Sequence, residues 1–316
     1  MFSRKSKIQS PKSKVQSAKA EDQRPKRQSA VSNVLYYAMG GGLGHLTRAR
    51  AVLNMFGIEE DSLILTSSPF ANDVRVMGET KVINVPQDFE KKLADFRLYL
   101  ADIFEQSNAT ELFIDTFPAG IIGEFCDFDF KDLQINYVAR SLKWNAYLPL
   151  IYGNLPKIQT TFLLEPLEEE HKKFVVKNSL ETVSLDLVYP KTFFSDEYKS
   201  LIDSHSPFWL IIHSGNDEEI KELLDYANEM RVIENANVNL VLITPKSFST
   251  LPSKTFHYDL YPASTLFPYA ERIISGCGFN IVTEARKFRD KHCVIPFPRR
   301  YDDQFKRTFH AFQIQG

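Results

Sequence analysis

The residues best suited to chemistry are Gly40-Gly41-Gly42-Leu43-Gly44-His45, four glycines within five positions followed by an imidazole. Glycines let the backbone turn sharply and let a ligand approach the main chain closely. An apolar run precedes the loop as a predicted strand, and a helix is predicted to follow it. The helix start would present unpaired N–H groups and the positive end of a dipole, which suit an anionic or strongly polar ligand. His45 stands at that mouth, the only side chain of the loop able to move a proton near neutral pH.

A second constellation lies near the other end of the chain. Ser275-Gly276-Cys277-Gly278-Phe279-Asn280-Ile281-Val282-Thr283-Glu284-Ala285 is followed by Pro296 and then by Asp303-Gln304. Gly276 and Gly278 predict another bare helix start at a strand end, suited to phosphates. Glu284 is four residues beyond Asn280, so both fall on one helix face. A carboxylate there accepts two hydroxyl hydrogen bonds, as a ribose diol would require. Asp303 and Gln304 offer an acceptor-and-amide pair for sugar hydroxyls.

The elements that must position these residues alternate. Strands are predicted at 34–39, 63–66, 81–85, 111–114, 134–138 and 161–164, with helices at 43–56, 89–106 and 119–126 between them. Such alternation argues for a parallel sheet covered on both faces. Residues 188–195 and 203–207 read as a connection. A second series then runs through strands at 208–213, 239–243, 256–260, 272–275 and 292–296. Helices are predicted at 217–230, 281–288 and 302–312. The expected fold class is therefore α/β, two Rossmann-like doubly wound domains facing across a cleft. The division is a tail over 1–32, an N-terminal domain over 33–190 and a C-terminal domain over 191–316.

Composition and motif tests remove several classes. With 316 residues, 43% hydrophobic and 25% charged, the chain is sized for two domains. No apolar run approaches the ~20 residues of a membrane span. Cys126, Cys277 and Cys293 are three in number and far apart, which fits neither a disulfide framework nor a metal cluster and implies a reducing, cytoplasmic setting. The dinucleotide fingerprint needs a glycine where His45 or Thr47 stands, and it needs an acidic residue where Thr66-Ser67-Ser68-Pro69 follows the second strand. No Gly-Lys-Ser/Thr loop occurs. No Asp-x-Asp motif stands at a predicted strand end to hold a divalent cation against a pyrophosphate. Charge is uneven: residues 1–32 carry +7 and the remainder −9. The tail, rich in Ser, Lys and Gln, is expected to be disordered, either a solvated extension or a peripheral electrostatic contact with an anionic membrane surface. Nucleic acid is not expected as a partner.

The two constellations together resemble those of the GT-B glycosyltransferases that use nucleotide sugars, in the branch of the peptidoglycan N-acetylglucosaminyltransferase and the UDP-glycosyltransferases. Gly42-Leu43-Gly44-His45 matches the family's opening loop. The stretch Ser275 to Ala285, with Pro296 and Asp303-Gln304, matches its C-terminal signature. Leu260-Tyr261-Pro262 looks like the turn beside the nucleobase, with Ala263 where the family has Gln. The resemblance implies inverting, metal-independent transfer of a hexose or N-acetylhexosamine from a UDP-sugar to a hydroxyl acceptor, be it lipid, glycan or small molecule. No cofactor is expected. His45 would be the general base. Asp115, at the C-terminal end of the strand in Leu112-Phe113-Ile114-Asp115, would orient it by fixing its tautomer. Ser214, Gly215, Pro262, Gly276, Gly278, Asn280, Glu284, Asp303 and Gln304 would hold the donor, and Gly41, Gly42 and Gly44 would line the acceptor side. The chain departs from the family at Arg289-Asp290-Lys291-His292, at Gly276 where many members have His, and in the short loop His213-Ser214-Gly215-Asn216. It also stops soon after Gln304. The alternative expectation is a catalytically inactive protein of this fold that binds a nucleotide or a protein partner.

Overall fold

A computed structural model describes residues 33–190, 193–248 and 250–312. The basic tail over 1–32 lies outside the described residues. Among the described residues, twelve strands form two parallel sheets. The first holds β1 (Val34–Tyr37), β2 (Ser62–Thr66), β3 (Lys81–Asn84), β4 (Glu111–Asp115), β5 (Gln134–Ala139), β6 (Ile158–Leu163) and β7 (Ser179–Ser184), in the order β3-β2-β1-β4-β5-β6-β7. The second holds β8 (Phe208–Ile212), β9 (Asn239–Ile243), β10 (Thr255–Tyr258), β11 (Arg272–Gly276) and β12 (His292–Ile295), in the order β10-β9-β8-β11-β12. The protein is thus α/β with two doubly wound sheets.

Successive side chains of a strand point to opposite faces, and a parallel sheet is apolar on both. Leu35, Tyr37 and Met39 enter one core cluster, while Val34, Tyr36 and Ala38 enter another. In the second sheet Phe208, Leu210 and Ile212 face one cluster, and Trp209 and Ile211 the other. The continuous apolar runs of β1 and β8 follow from this double burial.

Both strand orders reverse direction once, between β1 and β4 and between β8 and β11. At such a reversal the crossovers leave to opposite faces and open a crevice at the C-terminal strand ends. The β1–β4 register sets Tyr37 opposite Ile114, so Asp115 ends level with the start of the glycine loop. The helix Leu43–Phe56 begins there. In the second sheet Ile212 pairs with Ser275, which brings His213 level with Gly276.

Several elements differ from their sequence expectation. Residues 119–126 form turns rather than a helix, with Gly120 and Gly123 at φ 85° and 86°. The Glu124 carboxylate accepts the N–H groups of Ile121 and Ile122 at 3.1 and 2.9 Å and the hydroxyl of Tyr37, supplying what helical carbonyls would otherwise provide. The helix expected at 89–106 splits into a 3-10 turn (Gln87–Lys91) and a helix (Leu93–Gln106). Residues 203–205 are not a linker. They end the helix Asp196–His205, whose Tyr198 and Leu201 pack into the core of the second sheet. Strand β7 was not anticipated, nor was the helix Glu169–Asn178 before it.

Candidate functional site

His45 is the third residue of its helix and Arg48 lies one turn later on the same face. That face packs on the side of the sheet to which Asp115 points, the side of Tyr36 and Phe113. Four side chains, His45, Arg48, Tyr36 and Thr116, converge on the buried Asp115 carboxylate, the last donating Oγ1–H to Oδ2 at 3.2 Å. His45 Nδ1 is 2.6 Å from Oδ2, Arg48 Nε donates to Oδ1 at 2.7 Å, and Arg48 Nη2 donates to Oδ2 at 2.5 Å. The Tyr36 hydroxyl adds a bond to Oδ1 at 3.3 Å. Arg48 Nη2 also donates to Thr116 Oγ1 at 2.8 Å. The paired guanidinium holds the Asp115 carboxyl well below the usual carboxylate range despite its burial.

An ionised Asp115 can only accept, so the 2.6 Å contact places the proton on His45 Nδ1. The 3.1 Å approach of Arg48 Nη2 to Nδ1 is then a charge contact rather than a second hydrogen bond. Nε2 is left bare for a ligand. Burial lowers the His45 pKa from its ordinary 6.5, the Asp115 contacts oppose that, and Arg48 and Arg140 lower it further. The imidazole is therefore neutral at pH 7. Gly40, at φ 137°, leaves room for the ring: a Cβ there would stand 2.8 Å from both Cδ2 and Nε2.

His45 opens onto a cavity of about 810 Å³, within the size range of small-molecule sites. Gly41, Gly42, Gly44, His45, Ser214, Gly215, Pro262, Gly276, Gly278, Asn280, Glu284 and Gln304 all line it. Asp115 sits behind His45. Asp303 does not line the cavity, and its carboxylate instead accepts the N–H of Lys306 at 3.0 Å in the first turn of the closing helix. Its neighbour Asp302 lines the cavity and binds Arg140 at 2.6 Å and Arg307 at 2.7 Å.

Two of the predicted donor residues spend their polar atoms on the protein. Asn280 Nδ2 donates to the Gly44 carbonyl at 2.7 Å and its Oδ1 accepts from Tyr189, so it ties the two halves together beside the glycine loop. Gln304 Oε1 accepts the N–H groups of Cys277 and Phe297 at 3.2 and 3.0 Å, which leaves its NH₂ for a ligand. Glu284 is half-buried, and desolvation pushes its pKa up to about 7 against a hydrogen bond from Ser264.

Every arginine and lysine lining the cavity already has a carboxylate partner. Arg48 has Asp115, Arg75 has Asp73 and Asp259, Arg140 has Asp302, Lys246 has Asp217, and Arg299 has Glu219. Sequence reasoning missed Arg48, Arg140 and Asp302. The available signal was the i, i+3 spacing of Arg48 from His45 on a face otherwise made of Leu46, Ala49, Val52 and Leu53. Among the described residues no three His, Cys, Asp or Glu side chains gather as a metal site, and no helix is long and apolar enough to cross a membrane.

No protein-family model matches the sequence, and no curated protein matches it. Solved structures do match in fold. A UGT transferase from Siraitia grosvenorii in complex with UDP is 12% identical with a TM-score of 0.51, covering 88% of this chain and 84% of its own. The spinosyn rhamnosyltransferase SpnG complexed with thymidine diphosphate is 11% identical at 0.56, covering 84% and 81%. The spinosyn forosaminyltransferase SpnP is 10% identical at 0.57, covering 91% and 84%. The chain has the GT-B fold of nucleotide-sugar glycosyltransferases.

Proposed function

We propose that this protein transfers a sugar from a nucleoside diphosphate sugar, UDP-linked in the first instance, to a hydroxyl acceptor with inversion at the anomeric carbon. The observation that carries the reading is a neutral imidazole, oriented by a buried carboxylate, opening onto the cavity lined by the glycine loops of the second sheet. The acceptor oxygen attacks the anomeric carbon while the bond to the phosphate oxygen breaks, and the acceptor's proton passes to His45 Nε2. Asp115 keeps the proton on Nδ1 and stabilises the imidazolium that forms. Ser214, Gly215, Gly276 and Gly278 bring backbone N–H groups to the diphosphate, and Glu284 takes the ribose hydroxyls.

The reading calls for no metal ion: of the cavity carboxylates, Asp73, Asp259, Glu219 and Asp302 are bound by arginines, and Glu284 is given to the ribose. The structural likeness to proteins solved with UDP and with thymidine diphosphate supports a nucleotide as the ligand. One observation favours the second reading, a catalytically inactive nucleotide binder: each cavity cation is already neutralised by a carboxylate of the chain itself. Calorimetry with UDP and TDP, followed by a screen of their sugars for release of the free nucleotide, separates the readings. Transfer predicts binding and release, and the inactive binder predicts binding alone. Absence of binding to either nucleotide would remove both.

A further inference from the structure

A second imidazole lines the same cavity and is held by the same kinds of group as His45. His213 follows β8 at the reversal of the second sheet. Its Nε2 is 2.7 Å from Glu219 Oε2, and Arg299 grips that carboxylate with Nη1 on Oε1 at 2.5 Å and Nη2 on Oε2 at 2.6 Å. Asn216 caps the helix Asp217–Ile233 and accepts the Glu219 N–H at 2.8 Å, which fixes the carboxylate's position. The pair needs a bare backbone beside it: a Cβ on Gly215 would stand 2.3 Å from His213 Nε2 and 2.6 Å from Glu219 Oε2. On the other edge of the ring a Cβ on Gly276 would stand 3.1 Å from Cε1, and Phe297 packs with its centroid at 5.3 Å. The His45 site commits Nδ1 and leaves Nε2. Here Nε2 is committed, and Nδ1 has no hydrogen-bond partner among the described residues.

Resting on the proposed function, we infer that His213 is a catalytic residue on the leaving-group side, its Nδ1–H binding a phosphate oxygen of the departing nucleoside diphosphate, with Glu219 as positioning residue. When the anomeric carbon–oxygen bond breaks, both electrons stay on the phosphate oxygen, and His213 shares its proton with the charge that develops there. The acceptor's proton goes to His45, so the two imidazoles serve opposite ends of one displacement. Arg299 supplies a fixed positive charge beside the pair.

A consequence follows from the tautomer. While Nε2–H donates to Glu219, a neutral ring has a bare Nδ1 that repels phosphate, so binding the diphosphate requires a proton to arrive at Nδ1. The charged groups facing the ring are Glu219 and Arg299. Burial is the larger influence lowering the pKa of His213 in the free protein, with Arg299 adding to it and Glu219 opposing. A bound diphosphate brings negative charge, which favours the imidazolium.

The test is calorimetry of UDP binding at pH 7 in two buffers of different ionisation enthalpy. The wild-type protein should take up a fraction of a proton per UDP bound, His45→Gln should keep that uptake, and His213→Gln should lose it. His213→Gln should also lower kcat about 10²-fold, with a smaller change in KM. Glu219→Gln should lower kcat while the protein still binds UDP. Should His213→Gln fail to fold, imidazole nitrogen shifts of the wild-type protein with and without UDP give the same answer, since one ring other than His45 should become doubly protonated. UDP binding without proton uptake, or uptake unchanged in His213→Gln, overturns the inference and leaves the transferase reading standing. No binding of UDP or TDP overturns both.

Discussion

Asp115 holds a histidine and an arginine at once, and the two contacts have different consequences when broken. Removing His45 leaves the Arg48–Asp115 pair intact, so His45→Ala should keep its melting temperature while turnover falls by about 10²–10⁴-fold, the usual contribution of a general base. Removing the carboxylate strands a buried guanidinium. Asp115→Ala should therefore cost about 3–5 kcal/mol of stability as well as turnover, which urea denaturation measures directly. The pH profile reports on Arg48. Because the His45 pKa is lowered, its base form persists at neutral pH and is lost only as pH falls, giving an acid limb with its midpoint below 6.5. Arg48→Met removes one of the influences lowering that pKa, so the limb should move to higher pH. An unmoved limb would mean that another group titrates there. His45 was legible from the four glycines before it, and Asp115 because it stands where an apolar run stops. Arg48 was not, since an arginine on an amphipathic helix reads as solvated until the fold shows a carboxylate beneath it. Asp302 was missed by one position, because which of two adjacent aspartates enters the cavity depends on where the closing helix starts.

At the scale of elements, the glycine loop is shaped by its histidine. Gly40→Ala combines a left-handed φ with a Cβ 2.8 Å from the ring, so it should displace His45 and lower both stability and turnover. Gly41 has open space where its Cβ would stand, and Gly41→Ala should melt within a degree or two of wild type. Equal losses in the two variants would show that the loop responds to glycine content rather than to the ring. Strands buried on both faces were legible as continuous apolar runs. Strand β7 was not: it is the edge of the seven-stranded sheet, most of Ser179-Leu180-Glu181-Thr182-Val183-Ser184 is exposed, and an edge carries no such run. The turns at 119–126 escaped notice for another reason. Their apolar spacing suits a helix, and only a carboxylate reaching back to Ile121 and Ile122 reveals the alternative pairing.

At the scale of the whole molecule, charged side chains join the two halves at the wall of the cavity. Arg140 of the first half binds Asp302 of the second, and Arg307 of the second binds Asp302 and reaches Glu165 of the first at 3.0 Å. Arg307 Nη1 also donates to the Cys277 carbonyl at 3.1 Å, so one residue links the domain contact to the glycine loop after β11. Cutting one member of such a buried network leaves the others uncompensated. Arg307→Met should cost about 3–5 kcal/mol and weaken UDP binding, whereas Arg286→Met, which removes the exposed pair with Asp186, should change stability by less than about 1 kcal/mol. The contacts between the halves were not legible, because Arg140 and Asp302 are 162 positions apart and Arg307 and Glu165 are 142 apart, with no periodic signal. The central claim is that the imidazole held by Asp115 performs proton transfer for a sugar donor bound in the cavity beside it. The most direct measurement is the rate at which UDP or TDP is released from its sugar by wild-type and His45→Ala protein, with nucleotide affinity measured on both. The account predicts release by the wild type, a loss of about 10²–10⁴-fold in the variant, and nearly equal nucleotide affinity. Undiminished release by His45→Ala would contradict it.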